Sequence, residues 1–97
     1  MQWIEFNENN LIEFQKKLNW KGSGTKDDPI IIESLEGLKE LLRFKNIRSY
    51  IVVRNISLSE LKIRYSENIT IQNCNIYYFW IEFCHDILIE GSSIVHF

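Results

Sequence analysis

Polar side chains that recur at equal intervals in the second half of the chain are the first candidates for chemistry. Arg54, Gln72 and Glu90 follow one another at intervals of eighteen residues, and Arg64 and Glu82 share that interval. Hydrolysis of a glycosidic bond needs two carboxyl groups about 5–9.5 Å apart, and neither series has two neighbouring acids. We therefore predict no catalytic residue. Arg54, Gln72 and Glu90 form a candidate binding face, and Arg64 with Glu82 is interpreted as an ion pair across strands.

The histidines do not have the spacing of a metal site. His85 and His96, even together with Cys84, are too few ligands for a tetrahedral zinc site. His85 lies eighteen residues after Glu67, in what we expect to be a turn, and we interpret both histidines as ordinary surface residues. The sequence thus predicts neither a metal nor any other cofactor.

A group of aromatic residues is the more informative candidate surface. Tyr77, Tyr78 and Trp80 lie within four residues, and His96 follows Tyr78 by eighteen. Alternation along a strand predicts that Tyr78 and Trp80 point outward. Exposed rings of this kind are typical of a protein interface or of a platform on which sugars stack. The alternative is that an N-terminal helix folds over them.

These candidates are positioned by a repeat that spans residues 50–97. Its copies share apolar and turn positions at an offset of eighteen residues: Ile51/Ile69/Ile87, Val53/Ile71/Ile89, Leu58/Ile76/Ile94 and Asn55/Asn73/Gly91. Such a repeat is typical of a β-solenoid coil, because Asn and Gly tolerate the left-handed backbone of a sharp bend. Antiparallel hairpins are the alternative, but they favour Asn-Gly or Asp-Gly turns, and neither dipeptide occurs.

The remainder of each coil alternates again and predicts three strands per coil. Its inward positions are Leu61/Phe79/Phe97, Ile63/Ile81 and Tyr65/Phe83. Cys74 falls in an inward column with Ile56 and Ser92, whereas Cys84 matches Ser66 on the turn side. We expect Cys74 to be buried as a small apolar residue, and we do not expect a disulfide.

The first half of the chain is expected to cap the solenoid. We predict a strand over residues 2–6, a helix over 7–20, a loop, a strand over 30–32 and a second helix from 35 to about 44. Leu11, Phe14 and Leu18 give the first helix an apolar stripe, and Ser34 is placed to cap the second. The predicted fold is mainly β: a short right-handed parallel β-helix of about three eighteen-residue coils, with an N-terminal capping helix and one further short helix.

The loop before the coils carries a recognisable motif. We interpret Gly22 to Thr25 as an ordered turn rather than a phosphate loop, because the glycines of a phosphate loop follow a strand and enter a helix, whereas these follow the helix and lead into a strand. The loop and the coil resemble those of right-handed parallel β-helices of the pectin-lyase-like superfamily, including NosD-like repeat modules: GSGTKDDPIII, then NITIQNC. The resemblance covers residues 20–97 and implies the fold. It implies no single activity, since lyases, glycosidases, epimerases, adhesins and scaffolds share that fold, and family members commonly have more coils.

Length and charge narrow the functional classes. The 97 residues make one domain, with an N-terminal cap and entry coil over 1–49 and β-helix coils over 50–97. A net charge of −2 does not favour a nucleic-acid partner. The chain has no run of eighteen apolar residues and its start lacks the pattern of a signal peptide, so we expect a cytoplasmic protein without membrane contact.

The last predicted coil has an uncovered edge. Its inward residues, which would have no coil beneath them, are Ile87, Ile89, Ile94 and Phe97. A bare sheet edge over an apolar core favours association, so we expect a homo-oligomer, with two-fold symmetry. The first hypothesis for function is a non-catalytic, self-associating structural or interaction module. The second is a carbohydrate-binding or carbohydrate-processing module whose groove oligomerisation completes, and the third a remnant of a longer β-helix protein.

Overall fold

The computed structural model describes residues 4–35 and 41–97. Its elements are, in chain order, β1 (Ile4–Phe6), α1 (Glu8–Leu18), β2 (Ile30–Ile32), β3 (Leu41–Lys45), β4 (Ile51–Arg54), β5 (Ser57–Arg64), β6 (Glu67–Gln72), β7 (Asn75–Glu82), β8 (His85–Glu90) and β9 (Ser93–His96). The strands form a five-stranded sheet, in the order β1-β3-β5-β7-β9, and a four-stranded sheet, in the order β2-β4-β6-β8. All of the ladders between them are parallel. The chain is therefore a short parallel β-solenoid, as the repeat predicts.

The register of the later coils follows the eighteen-residue interval. Ile51 pairs with Ile69, and Ile69 pairs with Ile87 in the next coil. Leu58 pairs with Ile76 in the other sheet. Because the apolar positions superimpose, each coil stacks aliphatic side chains on those of its neighbour. Ile51, Ile69 and Ile76 are almost fully buried in the core between the two sheets.

One corner of each coil uses the predicted bend. Asn55, Asn73 and Gly91 have φ angles of 58°, 51° and 60°, respectively. This is the left-handed region, which Asn and Gly enter at lower cost than other residues. The bend turns the chain from the four-stranded sheet into the five-stranded one, so this part of the sequence interpretation is confirmed.

At the second corner of each coil, the structure contradicts the prediction made from the sequence. Tyr65 and Phe83, predicted to point inward, have positive φ angles of 51° and 54° and are exposed. The left-handed residue interrupts the alternation, so the residue that follows it faces the core instead. Ser66 is accordingly buried, and Cys84 packs against the core. The Ser66 hydroxyl accepts a hydrogen bond from the Ile47 N–H at 3.0 Å.

Two further elements differ from the prediction. Each full coil contributes two strands rather than three, because the predicted second and third strands are continuous in β5 and again in β7. The predicted second helix is wrong over its last residues: Leu41 to Phe44 belong to β3, with Leu42 and Phe44 buried. The part of that predicted helix over residues 36–40 lies outside the described residues.

Helix α1 closes the N-terminal end of the solenoid, the end formed by β1 and β2. The Asn7 side chain caps the helix by accepting from the N–H groups of Asn9 and Asn10. Phe6, at the end of β1, packs edge-on against Phe14 of the helix, with the ring centroids 4.9 Å apart. Leu11 is buried in the same cluster. Within the described residues, no helix has the length and apolar character needed to span a membrane.

Candidate functional site

The aromatic face lies on the outer side of the five-stranded sheet and comprises Tyr77, Tyr78, Trp80 and His96. All four are exposed, Trp80 by 56%, so helix α1 does not cover them. Phe79, between Tyr78 and Trp80, is buried, as alternation requires. The Tyr78 and His96 rings stack with centroids 4.9 Å apart, and Tyr77 meets each of them edge-on. The structure thus brings together all of the aromatic residues that the sequence singles out.

A groove of about 510 Å³ runs beside these rings, and its walls include charged residues. Lys62 places its Nζ 5.5 Å from the centre of the Trp80 ring, which is within cation–π range. Arg43 and Glu60 form an ion pair in the same groove, with Nη2 and Oε1 3.2 Å apart. Aromatic rings beside charged hydrogen-bonding groups can bind a ligand that has a flat apolar face and polar groups at its edge.

The charged residues of the groove are not among the site residues predicted from the sequence. Glu60 and Lys62 pair directly with Tyr78 and Trp80, so the eighteen-residue interval carried the signal. Arg43 has no such signal, because it lies on β3, which the sequence assigned to a helix. It pairs with Lys62 at an interval of nineteen residues.

The candidate binding face of Arg54, Gln72 and Glu90 follows the outside of the four-stranded sheet. The Gln72 Nε2 donates to Glu90 Oε1 at 2.6 Å. Arg54 binds Glu33 instead, with a hydrogen bond of 3.0 Å, and Gln72 separates it from Glu90. The Arg54 hydrogen bond holds the pKa of Glu33 below its ordinary value. The face therefore consists of two pairs whose charged and amide groups bind one another, with Glu33 as a member that the sequence did not indicate.

A third ion pair matches the sequence interpretation. Arg64 Nε lies 2.6 Å from Glu82 Oε1 on neighbouring strands of the five-stranded sheet. Both side chains are about one-third exposed, so the pair is a structural contact across coils of modest energy.

The Gly22–Thr25 loop does not present its backbone to a ligand. The N–H groups of Ser23, Gly24 and Thr25 all donate to the Asp28 carbonyl, at 2.9, 2.9 and 3.2 Å. Gly22 has a φ of 107°, and a Cβ at this position would overlap the carbonyl of Pro29. The loop is an ordered turn, as the sequence indicates.

The cysteines lack the surroundings of a nucleophile. Both thiols are free, and Cys74 is buried in the predicted inward column. Burial raises the pKa of the Cys74 thiol, which keeps it protonated. The Cys84 sulfur lies 3.2 Å from the Glu82 carbonyl oxygen and 3.5 Å from that of Ile63, directed toward the backbone of the coils.

The two ends of the solenoid differ. At the N-terminal end, side chains and a short bridge take up backbone groups: Ile31 N–H donates to the Lys21 carbonyl at 2.9 Å, and Trp20 Nε1 donates to the Ser34 carbonyl at 3.1 Å. At the C-terminal end, formed by β8 and β9, each strand has a strand partner on one side only among the described residues. Within the described part of the chain, the outer edges of β8 and β9 are therefore unpaired.

The apolar side chains of the C-terminal end are incompletely covered. Ile87, Ile89 and Ile94 are only partly buried, whereas Ile69 and Ile71 one coil earlier are fully buried. Phe97 is 81% exposed, although its ring meets Phe79 edge-on at 5.2 Å. The structure thus groups all of the residues that the sequence assigned to the edge: Ile87, Ile89, Ile94 and Phe97.

Comparison with known protein families, with curated proteins and with solved structures gives no match for this chain. The geometry of three surfaces is therefore the basis for any functional proposal: the aromatic face, the candidate binding face of Arg54, Gln72 and Glu90, and the C-terminal end.

Proposed function

We propose that this protein is a small self-associating module that pairs with a second copy through its C-terminal end and offers its outer faces for binding. The observation that carries the proposal is the difference between the ends. Helix α1 and Trp20 cover the N-terminal end, whereas the C-terminal end combines open strand edges with partly covered Ile87, Ile89 and Ile94. An open edge over apolar side chains is an association surface.

A second copy is the occupant that fits this surface. The exposed edge of one coil offers backbone groups and aliphatic rows at the spacing that another coil requires. A head-to-tail contact would have to displace α1 from the N-terminal end, so the remaining contact joins two C-terminal ends. Such a contact uses the same patch on both partners, closes after two copies and has two-fold symmetry.

The test is the molar mass of the 97-residue chain in solution, measured by light scattering after size exclusion over a dilution series. We expect a dimer, twice the 11.6 kDa of one chain. Phe97→Lys should shift the equilibrium to monomer without threatening the fold, because Phe97 is already exposed. Ile94→Lys should do the same more strongly, and its folding can be checked by circular dichroism.

Val95→Lys is the matched control, since Val95 lies beside Ile94 on β9 but points outward. It should leave the dimer intact. A wild-type chain that is monomeric at every concentration would refute the proposal, as would a dimer that Phe97→Lys and Ile94→Lys leave unchanged.

A second candidate function, carbohydrate binding, is favoured by the groove beside the aromatic face. Tyr78 and Trp80 line the groove with exposed aromatic rings, apolar surfaces of the kind that sugars contact, and Glu60 and Lys62 supply polar groups at the rim. The resemblance to the pectin-lyase-like superfamily, which includes carbohydrate-processing enzymes, is consistent with this proposal and stays a prediction. The cytoplasmic location expected from the sequence also stays a prediction. Carboxylates paired for catalysis are not part of the carbohydrate-binding proposal.

Binding can be measured by isothermal titration calorimetry with one neutral and one acidic oligosaccharide, a readout that does not depend on the fluorescence of Trp80. Trp80→Ala should abolish binding if the groove is a saccharide site. Leu88→Ala removes an exposed apolar side chain from the other sheet and should leave binding unchanged. Absence of binding to the wild-type protein would eliminate this candidate.

A further inference from the structure

A cluster of three side chains lies at the second corner, where β6 and β8 begin. Glu67 and His85 are register partners on these strands, and Asp86 follows His85 in the chain. The His85 Nδ1 lies 2.8 Å from Asp86 Oδ2, and its Nε2 lies 3.7 Å from Glu67 Oε1. Each of the three residues has one potential ligand atom, and these three atoms lie within 4.8 Å of one another.

The hydrogen bond to Asp86 determines which imidazole nitrogen is available. In the neutral ring, Nδ1 carries the proton because it faces a carboxylate oxygen at hydrogen-bond distance. Nε2 then presents a lone pair toward Glu67, and two electron-pair donors face each other across the gap. This is the arrangement of a metal-binding histidine, whose second nitrogen is oriented by a carboxylate.

We propose that His85 and Glu67 bind one divalent first-row transition metal ion, with Zn²⁺ as the representative case, and that Asp86 orients the imidazole. Two ligands about 2.1 Å from a tetrahedral zinc ion lie about 3.4 Å apart. The observed 3.7 Å between Nε2 and Oε1 therefore needs only a small side-chain adjustment. Water would complete the coordination, so the site is an open one, unlike a structural site with four protein ligands.

Arg48 modulates this site. Its Nε lies 3.3 Å from the same Glu67 oxygen, and its Nη1 donates to the Tyr65 carbonyl at 2.8 Å. A guanidinium at this position competes with a metal ion for the carboxylate. Removal of the Arg48 charge should therefore strengthen metal binding, an effect opposite to that expected if the cluster were only a network of ion pairs.

The ion would connect successive coils. Glu67 belongs to the preceding coil and His85 to the last coil, so a shared metal adds a link at one end of a ladder that also has the hydrogen bond between Gln72 and Glu90. Because binding to the folded state stabilises it, the melting temperature should rise with metal concentration.

The experiment is a titration of the purified 97-residue chain with ZnCl₂ by calorimetry, together with NMR of the two imidazole rings. We expect one ion per chain and a shift of the His85 ring signals. His85→Ala should abolish this binding. Asp86→Asn should weaken it by about 10–100-fold, the usual effect of losing the group that orients a metal-binding histidine. Arg48→Gln should bind more tightly than the wild type.

The chain supplies its own controls. His96 is the only other histidine and stacks on Tyr78, so His96→Ala should bind zinc like the wild type. Cys84→Ser tests whether the neighbouring thiol is the true ligand, and binding should persist in it. Glu67→Gln replaces His85→Ala if the latter fails to fold. Unchanged affinity in His85→Ala or Glu67→Gln, loss of binding in Cys84→Ser, or no binding by the wild type at millimolar zinc would overturn the proposal.

Discussion

The rings of Tyr65 and Phe83 lie parallel, with centroids 5.1 Å apart and planes inclined by 5°, although both residues have a positive φ. The left-handed backbone costs an aromatic residue about 1–2 kcal/mol. The residues follow β5 and β7 at equivalent positions, so the bend that places one ring outside also places the next ring beside it. Contact between the rings offsets part of the backbone cost.

This relationship predicts a measurable coupling. A double-mutant cycle with Tyr65→Asn and Phe83→Asn should give an interaction energy of about 0.5–1.5 kcal/mol from urea denaturation, because the pair of rings is lost in either single variant. Asn is the appropriate replacement since it tolerates the positive φ. Purely additive effects of the two substitutions would show that the stacked rings contribute no stability.

Gly91 should be sensitive to substitution because of its backbone. It has a φ of 60°, and a Cβ there would approach only the Asn73 side-chain oxygen of the preceding coil, the end of a flexible side chain that can move aside. We expect Gly91→Ala to lower the free energy of unfolding, measured by urea denaturation, by about 1–2 kcal/mol, the cost of the left-handed backbone. Gly91→Asn should cost less, since Asn adopts this backbone at Asn55 and Asn73, and equal losses in the two variants would contradict this assignment.

Glu8 fastens α1 to the first complete coil. Its carboxylate accepts hydrogen bonds from the N–H groups of Arg48 and Ser49, both at 2.6 Å, and from the Ser49 hydroxyl at 2.9 Å. Glu8→Gln should cost about 1.5–3 kcal/mol, the range for hydrogen bonds to a charged group. Glu13 lies on the same helix and is exposed. As the control, Glu13→Gln should change the free energy of unfolding by less than about 0.5 kcal/mol.

The pair of Glu33 and Arg54 predicts a pH dependence. Because Arg54 lowers the pKa of Glu33 in the folded state, the pair stabilises the fold above the ordinary glutamate pKa. That contribution disappears as the pH falls through the lowered value. NMR titration of the Glu33 carboxyl carbon should show the lowered pKa, and Arg54→Gln should return it toward the ordinary value. Arg64→Gln, which affects a different pair, should leave it unchanged.

The coils from Tyr50 onward could be predicted because their repeat is regular. The pairs Ile51 with Ile69 and Ile71 with Ile89 follow directly from the interval of eighteen. The first coil was hidden because its intervals differ: Leu42 pairs with Leu61 after nineteen residues, and Ile32 pairs with Val53 after twenty-one. Without a matching interval, the leucines near β3 suggested helical spacing.

The candidate surfaces likewise include residues that could be predicted from the sequence and residues that could not. Tyr78 and Trp80 were predictable, since alternation on a regular strand determines which side chains point outward. Alternation could not predict Tyr65 and Phe83, because a left-handed residue at a corner reverses the direction of the next side chain. Arg43 and Glu33 reach their partners through coils of irregular length, which leave no signal in the sequence.

Because the later coils are equally spaced, the number of coils can change without altering the surfaces at the two ends of the solenoid. Residues 67–84 lie between coils of the same register on both sides. A tandem copy of this segment would therefore extend the solenoid by about 4.8 Å, the distance between neighbouring strands. The helix at one end and the open coil at the other would keep their chemistry. Evolution or design can thus change the height of this protein in fixed steps while leaving its interfaces intact.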